Sequence, residues 1–154
     1  MSWLTVRDAL VTRFQSVLPT AKIHGRNRDT KEPPTSTTFK TMFQDTAAEN
    51  KLHTLIFNRI KRTSEQNADG IRKRVVHELE IAYLLAFNDT TNSMQTFEGN
   101  VDAICRDLET GDDTLAGAAF TMGLPNCDAI GDSGFYGLHV HDARIKLQVV
   151  ELVS

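Results

Sequence analysis

His139-Val-His141-Asp142 is the tetrad of this 154-residue chain with the clearest chemical potential. On a strand, residues two apart share a face, so His139 and His141 would present two imidazoles side by side, the beginning of a zinc-type site. A catalytic site of that kind needs a third protein ligand and a carboxylate or carbonyl to orient the ring nitrogens. His24, His53 and His77 are available, but nothing in the sequence brings them there. Two histidines on a strand more often pack or hydrate than hold a metal, and no cofactor is expected.

Gly131-Asp-Ser-Gly134 matches the surroundings of the nucleophile in chymotrypsin-like proteases. That chemistry requires a sharp turn exposing Ser133, a base in hydrogen-bond reach and an oxyanion hole. The chain is too short for two barrels, and the same four residues are good turn sequence. Glu78 and Glu80 share one strand face, which reads as a solvated face or a subunit contact more readily than as an acid–base pair. Cys105 reads as a small core residue. No phosphate-binding loop, dinucleotide turn or HExxH helix occurs, so the expectation is a protein that is not an enzyme.

Any such residue must be placed by the elements around it. Trp3, Leu4, Leu10, Val11, Phe14, Val17 and Leu18 form one stripe at helical spacing, with Ser2 as cap and Pro19 as stop. Positions 25–50 break the pattern. They form a long polar arm whose large apolar residues are Phe39, Met42 and Phe43, with room for a short helix near Ala47. Two readings stand for the arm: a floppy excursion, or a segment that orders on a partner with Phe39 and Phe43 as anchors. Leu52–Ser64 and Ile71–Asn88 read as two strands joined by a turn at Asp69-Gly70. Eighteen residues at about 3.3 Å each would span about 59 Å, so this hairpin bends or projects from the body. Asn92–Glu109 reads as a second amphipathic helix ended by Gly111. A short strand fits 115–124, a turn-rich stretch 125–137, and an alternating strand 138–153. The sum is a single α+β domain over 1–154, a mostly antiparallel sheet with a long projecting hairpin, packed by two amphipathic helices.

Composition bounds the class. Hydrophobic residues at 40% and charged residues at 24% describe an ordinary globular chain. The apolar runs fall far short of the ~20 residues of a membrane helix, so no membrane partner is expected. Residues 1–20 do not read as a signal peptide, and two cysteines without CxxC spacing suit a reducing compartment. A net charge of −3 argues against a general nucleic-acid binder. The charge is segregated, however. Residues 51–74 hold Lys51, Arg59, Lys61, Arg62, Arg72, Lys73 and Arg74 against Glu65 and Asp69, whereas 89–132 hold nine acids against Arg106. Two solvated faces would account for this. So would phosphate contact by the hairpin. The reading preferred here is a self-complementary chain, whose basic protrusion meets an acidic neighbour head to tail and closes a ring.

The order of elements carries a resemblance. An N-terminal amphipathic helix leads to an irregular arm and a long hairpin ending in Glu80-Ile-Ala-Tyr-Leu-Leu-Ala-Phe87. The helix Phe97-Glu-Gly-Asn-Val-Asp-Ala-Ile-Cys-Arg-Asp-Leu108, the stretch Asp113-Thr-Leu-Ala-Gly117 and a final alternating strand follow. Over most of its length the chain resembles the tail terminator proteins of long-tailed bacteriophages, also called minor tail or tail completion proteins. The resemblance implies a homo-oligomeric, six-membered ring on the last ring of the tail tube. Such a ring stops tube polymerisation and meets the head–neck connector, while DNA passes the lumen without specific binding. It implies a place in the virion tail, after assembly in the host cytoplasm. Arg59, Lys61, Arg62, Arg72, Lys73 and Arg74 are then the expected interface residues, with Asp112 and Asp113 as their partners. The alternatives are another ring-forming connector or tube protein, or a small metal-dependent enzyme built on His139 and His141.

Overall fold

The computed structural model describes residues 2–45, 51–88, 90–115, 117–119 and 121–153. The first helix, α1, spans Trp3–Val17; the Ser2 hydroxyl accepts the Thr5 amide, and the Leu18 amide closes the last turn on the Phe14 carbonyl. Then come β1 (Lys22–His24), α2 (Thr37–Phe43), β2 (Gln44–Asp45), β3 (Lys51–Gln66), β4 (Lys73–Ala86) and α3 (Ser93–Thr110). The chain closes with β5 (Thr121–Met122), β6 (Asn126–Phe135) and β7 (Leu138–Val153). The fold is α+β: a mixed sheet in the order β1-β3-β4-β7-β5, with β2 added beside β3 and β6 beside β7. Among the described residues only β1 and β3 run parallel; every other pair is antiparallel.

The period-two pattern of β4 and β7 sorts their side chains to two faces. Leu79, Ile81 and Tyr83 of β4 and Ala143, Ile145, Leu147 and Val149 of β7 meet Leu10 and Phe14 of α1 and Phe97, Val101, Ile104 and Leu108 of α3 in the main core. Tyr83 stacks on Phe97 at 5.5 Å and Phe14 meets Phe57 edge-on at 5.5 Å, both within the range of favourable ring pairs. On the opposite face a smaller core joins Phe39, Met42 and Phe43 of α2 to Leu52, Ile56, Leu84 and Val140. This corrects the reading of 25–50 as an irregular arm with free anchors. Ser36 caps a helical turn there, and Phe39 and Phe43 are wholly buried against the chain's own sheet. Tyr136 ties down the rest: its ring packs on Phe39 at 5.2 Å, its hydroxyl donates to Asp29, and it accepts the Thr30 amide. Positions 46–50, with the helix expected near Ala47, lie outside the described residues.

Two more expectations are corrected. Residues 126–135, read as turn-like, are the strand β6; the turn is only Tyr136-Gly137, both with positive φ (53° and 79°), the conformation of a tight two-residue hairpin. Gly111 does follow α3, but at φ −82°, so left-handedness is not its reason for being glycine. A Cβ there would stand 2.0 Å from Arg13 Nη2 and 2.6 Å from the Asp107 carbonyl, where Arg13 fastens α1 to the end of α3.

Candidate subunit interface

The hairpin of β3 and β4 is long, as expected, but its two strands differ. From Lys73 to Ala86, β4 is paired on its other side by β7 from Val140 to Val153. Its inward residues Val75 and His77 are buried, and His77 Nε2 bonds Glu151 at 2.7 Å beneath the Trp3 ring. By contrast, β3 is exposed from Arg59 to Gln66. A bulge between Arg59 and Lys61 marks where it leaves the core. What protrudes is therefore the outer half of β3 with the turn at 67–72, carried on a β4–β7 backing.

The expected basic residues lie along this edge in different states. Arg59 is held at home: its guanidinium carbon sits 5.2 Å from the centre of the Trp3 ring, and Nη1 is 3.3 Å from His77 Nδ1. Arg72 Nε donates to Asp69 Oδ2 at 2.8 Å. The Asp69 carboxylate also accepts the Arg72 and Ile71 amides, and these bonds hold its pKa well below the usual carboxylate range. Lys73 donates to Gln66, and Arg74 Nε lies 3.5 Å from Glu65 Oε1. Arg62 reaches Ser64 alone, and Lys61 makes no ion pair among the described residues. Among the described residues only Arg72 and Arg74 of the set pair with an acid, and of the other four Lys61 and Arg62 are the two exposed cations of β3 that no ring holds.

Asp112 and Asp113 are elsewhere, beyond the end of α3 beside α1. The Asp112 carboxylate takes the Thr114 amide and hydroxyl at 2.9 and 2.6 Å, and its carbonyl takes Arg13. Asp113 accepts the Thr121 hydroxyl at 3.1 Å. Both carboxylates shape their own loop. Glu78 and Glu80 lie half-exposed on the sheet face away from α1 and α3, where Gln148 donates to Glu78 and Arg144 stands 3.7 Å from Glu80.

His139 and His141 both approach the Asp132 carboxylate, at 3.6 and 3.2 Å, but among the described residues no group of three or more donors could hold a metal ion. His141 is fully buried, whereas His139 is exposed and stacks on Phe87 at 4.2 Å. Both nitrogens of His141 are engaged. Nδ1 is 3.2 Å from Asp132 Oδ1 and Nε2 is 2.7 Å from Ser93 Oγ, which also accepts the Asn88 amide at 2.8 Å. The order has the form of a serine triad, yet Ser93 is itself buried and its hydroxyl oxygen closes the β4–α3 turn. Asp132 and Ser93 escaped the sequence reading, since they lie 9 and 48 positions from His141. Ser133 stands in a strand rather than on a sharp turn, and its hydroxyl donates to Asp142. A cavity of about 400 Å³ opens between the end of α1 and the start of α3, with Asp45, His53, Ser93 and Asn100 on its wall. Those groups serve one another. Asn100 donates to the Tyr83 hydroxyl, Tyr83 bonds His53 Nε2 at 2.9 Å, and His53 Nδ1 faces Asp45 at 3.7 Å. Burial lowers the His53 pKa against the pull of Asp45, and pushes the Tyr83 phenol up.

Among the described residues no helix is long and apolar enough to cross a membrane. No family model matches the chain, and no curated protein matches it.

Proposed function

We propose that this chain is a structural component of a phage tail. Copies assemble into a closed ring that caps the tail tube, stops its polymerisation and meets the head–neck connector. The observation that carries the reading is the outer half of β3, an exposed basic edge whose Lys61 and Arg62 form no ion pair among the described residues. The arrangement of α1, a long hairpin, α3 and a final long strand supports it, because that order of elements carries the resemblance to tail terminators. On this reading DNA passes the ring without specific binding. The chain works in the virion tail after assembly in the host cytoplasm.

Native mass spectrometry across a salt series tests the ring. Six copies of 17.2 kDa give a species of about 103 kDa. A charge-steered ring should weaken as salt shortens the Debye length from ~10 Å at 0.1 M to ~3 Å at 1 M. Substituting Lys61→Glu and Arg62→Glu should leave a folded monomer. Rings that form unchanged in that variant would remove the basic edge from the interface, and a monomer that binds one metal ion would redirect the reading to a metal-dependent protein.

A further inference from the structure

The sheet ends in two unpartnered edges. On one side β3 is covered by β2 at 51–52 and by β1 at 54–56, and no described strand pairs the outer side of positions 57–66. On the other side β6 pairs β7 alone, leaving the outer side of positions 126–135 open. Each is an edge about ten residues long, and each exposes an isoleucine: Ile60 is 50% and Ile130 is 54% exposed. Long open edges with exposed apolar residues are templates for pairing with another chain.

We infer that the outer half of β3 in one copy pairs with β6 of the next, so that the ring is one continuous sheet. This rests on the ring reading and names its contact. Three features of the chain fit these two edges to each other. The first is direction. Successive pairs from β3 to β4, β7 and β6 are all antiparallel, so β3 and β6 run oppositely. A rotation that carries one copy to the next preserves polarity along its axis, and β3 therefore meets the neighbour's β6 as an antiparallel pair.

Charge is the second. Arg62 is in register with His77 on the face bearing α1 and α3, and on that face β6 carries Asp132, opposite His141. Lys61 is opposite Glu78 on the other face, where β6 carries Asp128, 3.0 Å from Lys146. Each face thus has a cation on β3 and an acid on β6, and a single antiparallel register opposes one of these two pairs.

The third is stagger. Through β4, positions 57–66 of β3 lie level with Ile145–Val153 of β7, whereas β6 lies level with Leu138–Lys146. The centres of the two edges are about seven residues apart, or ~23 Å at 3.3 Å per residue. Four strands at about 4.8 Å make each copy ~19 Å wide. Joining the edges then tilts the strands by about 50° to the ring axis, or about 41° if the overlap falls two residues short. Closed barrels tilt their strands by about 35–45°. An offset that would be a defect in a flat sheet is close to the shear that closure requires.

Hydrogen–deuterium exchange on the assembled protein tests the contact, with Ile130→Lys as the unassembled reference. Ring formation is scored separately by native mass spectrometry. Lysine at position 130 would place a fourth cation beside Arg59, Lys61 and Arg62 and should give a folded monomer. The expected result is a ring whose amides in 57–66 and 126–135 exchange at least about 10-fold more slowly than in that monomer. Rings in which both segments exchange as fast as in the monomer would overturn the edge pairing while leaving the ring standing. Rings that still form with Ile130→Lys would overturn the pairing as well. A wild-type chain that forms no ring would overturn both readings.

Discussion

Ser93→Ala is the substitution whose cost the structure defines most closely. Its hydroxyl joins three elements. It accepts the Asn88 amide at the end of β4, stands at the start of α3, and is 2.7 Å from Nε2 of the fully buried His141 of β7. The methyl of alanine fills most of the space, so little of the cost is cavity. What remains is a buried imidazole nitrogen and a backbone amide, each without its partner. An unsatisfied buried group costs about 1–3 kcal/mol, so ~2–4 kcal/mol is expected for the pair after some relaxation. Urea unfolding should show a lower midpoint with an unchanged slope, which marks lost stability rather than an altered denatured state. Ser133→Ala, which releases only the half-exposed bond to Asp142, should cost under about 1 kcal/mol. A double-mutant cycle with His141→Phe should return a coupling of about 0.5–3 kcal/mol. If Ser93→Ala lies within about 0.5 kcal/mol of the parent, or if the cycle is additive, the hydrogen-bond chain from Asn88 to Asp132 does not fasten α3 to the sheet.

Three other outcomes follow from the packing. Phe43→Ala, at a side chain with no exposed surface in contact with Phe39, Phe135 and Tyr136, should cost ~3–5 kcal/mol in the isolated chain. A loss confined to partner binding, with stability intact, would return Phe43 to the role of anchor. Stability should fall as the pH drops below 6.5. Burial lowers the pKa of both His24 and His53, so the unfolded chain binds more protons in that window, and His24→Asn with His53→Gln should flatten the acid limb of a pH–Tm profile. Cys105, pushed up to about 11 chiefly by burial, should alkylate at pH 8 about 100-fold more slowly than a thiol at 9, and rapidly once the chain is unfolded.

The sequence displays elements whose neighbours do not have to supply the pattern. The stripe of α1, the alternation of β4 and β7 and the Asp69-Gly70 turn are local signals, and each lies within a residue or two of its expected place. The element missed most completely, β6, has no such signal. Asn126-Cys-Asp-Ala-Ile-Gly-Asp-Ser-Gly-Phe135 contains one β-branched aliphatic residue and two glycines, and its pattern is that of a loop. It is a strand because β7 templates it over nine paired positions, through a turn in which Tyr136 occupies a left-handed conformation normally left to glycine or asparagine. The arm is illegible for a related reason. Seven residues of helix are too few to show a stripe, and Phe39 and Phe43 look unattached until the sheet's second face is known to need covering.

That second face also separates what the fold keeps from what it leaves open. Near the start of β3 and the end of β4 the sheet is covered on both sides, by α1 and α3 on one and α2 on the other. Toward the turn at 67–72 the cover runs out, and β3 continues for eight residues with its side chains exposed. A chain optimised only for its own stability would end β3 near the bulge at Arg59, since each residue fixed beyond it costs about 1–2 kcal/mol of backbone entropy and buries little in return. The extension is held by pairing to β4 on one side, and it carries Arg59, Lys61 and Arg62, which form no ion pair among the described residues. Ordered backbone with an open edge, one exposed isoleucine and uncompensated charge suits stabilisation by a second copy, and β6, equally open and carrying Asp128 and Asp132, is the one other open edge of similar length among the described residues.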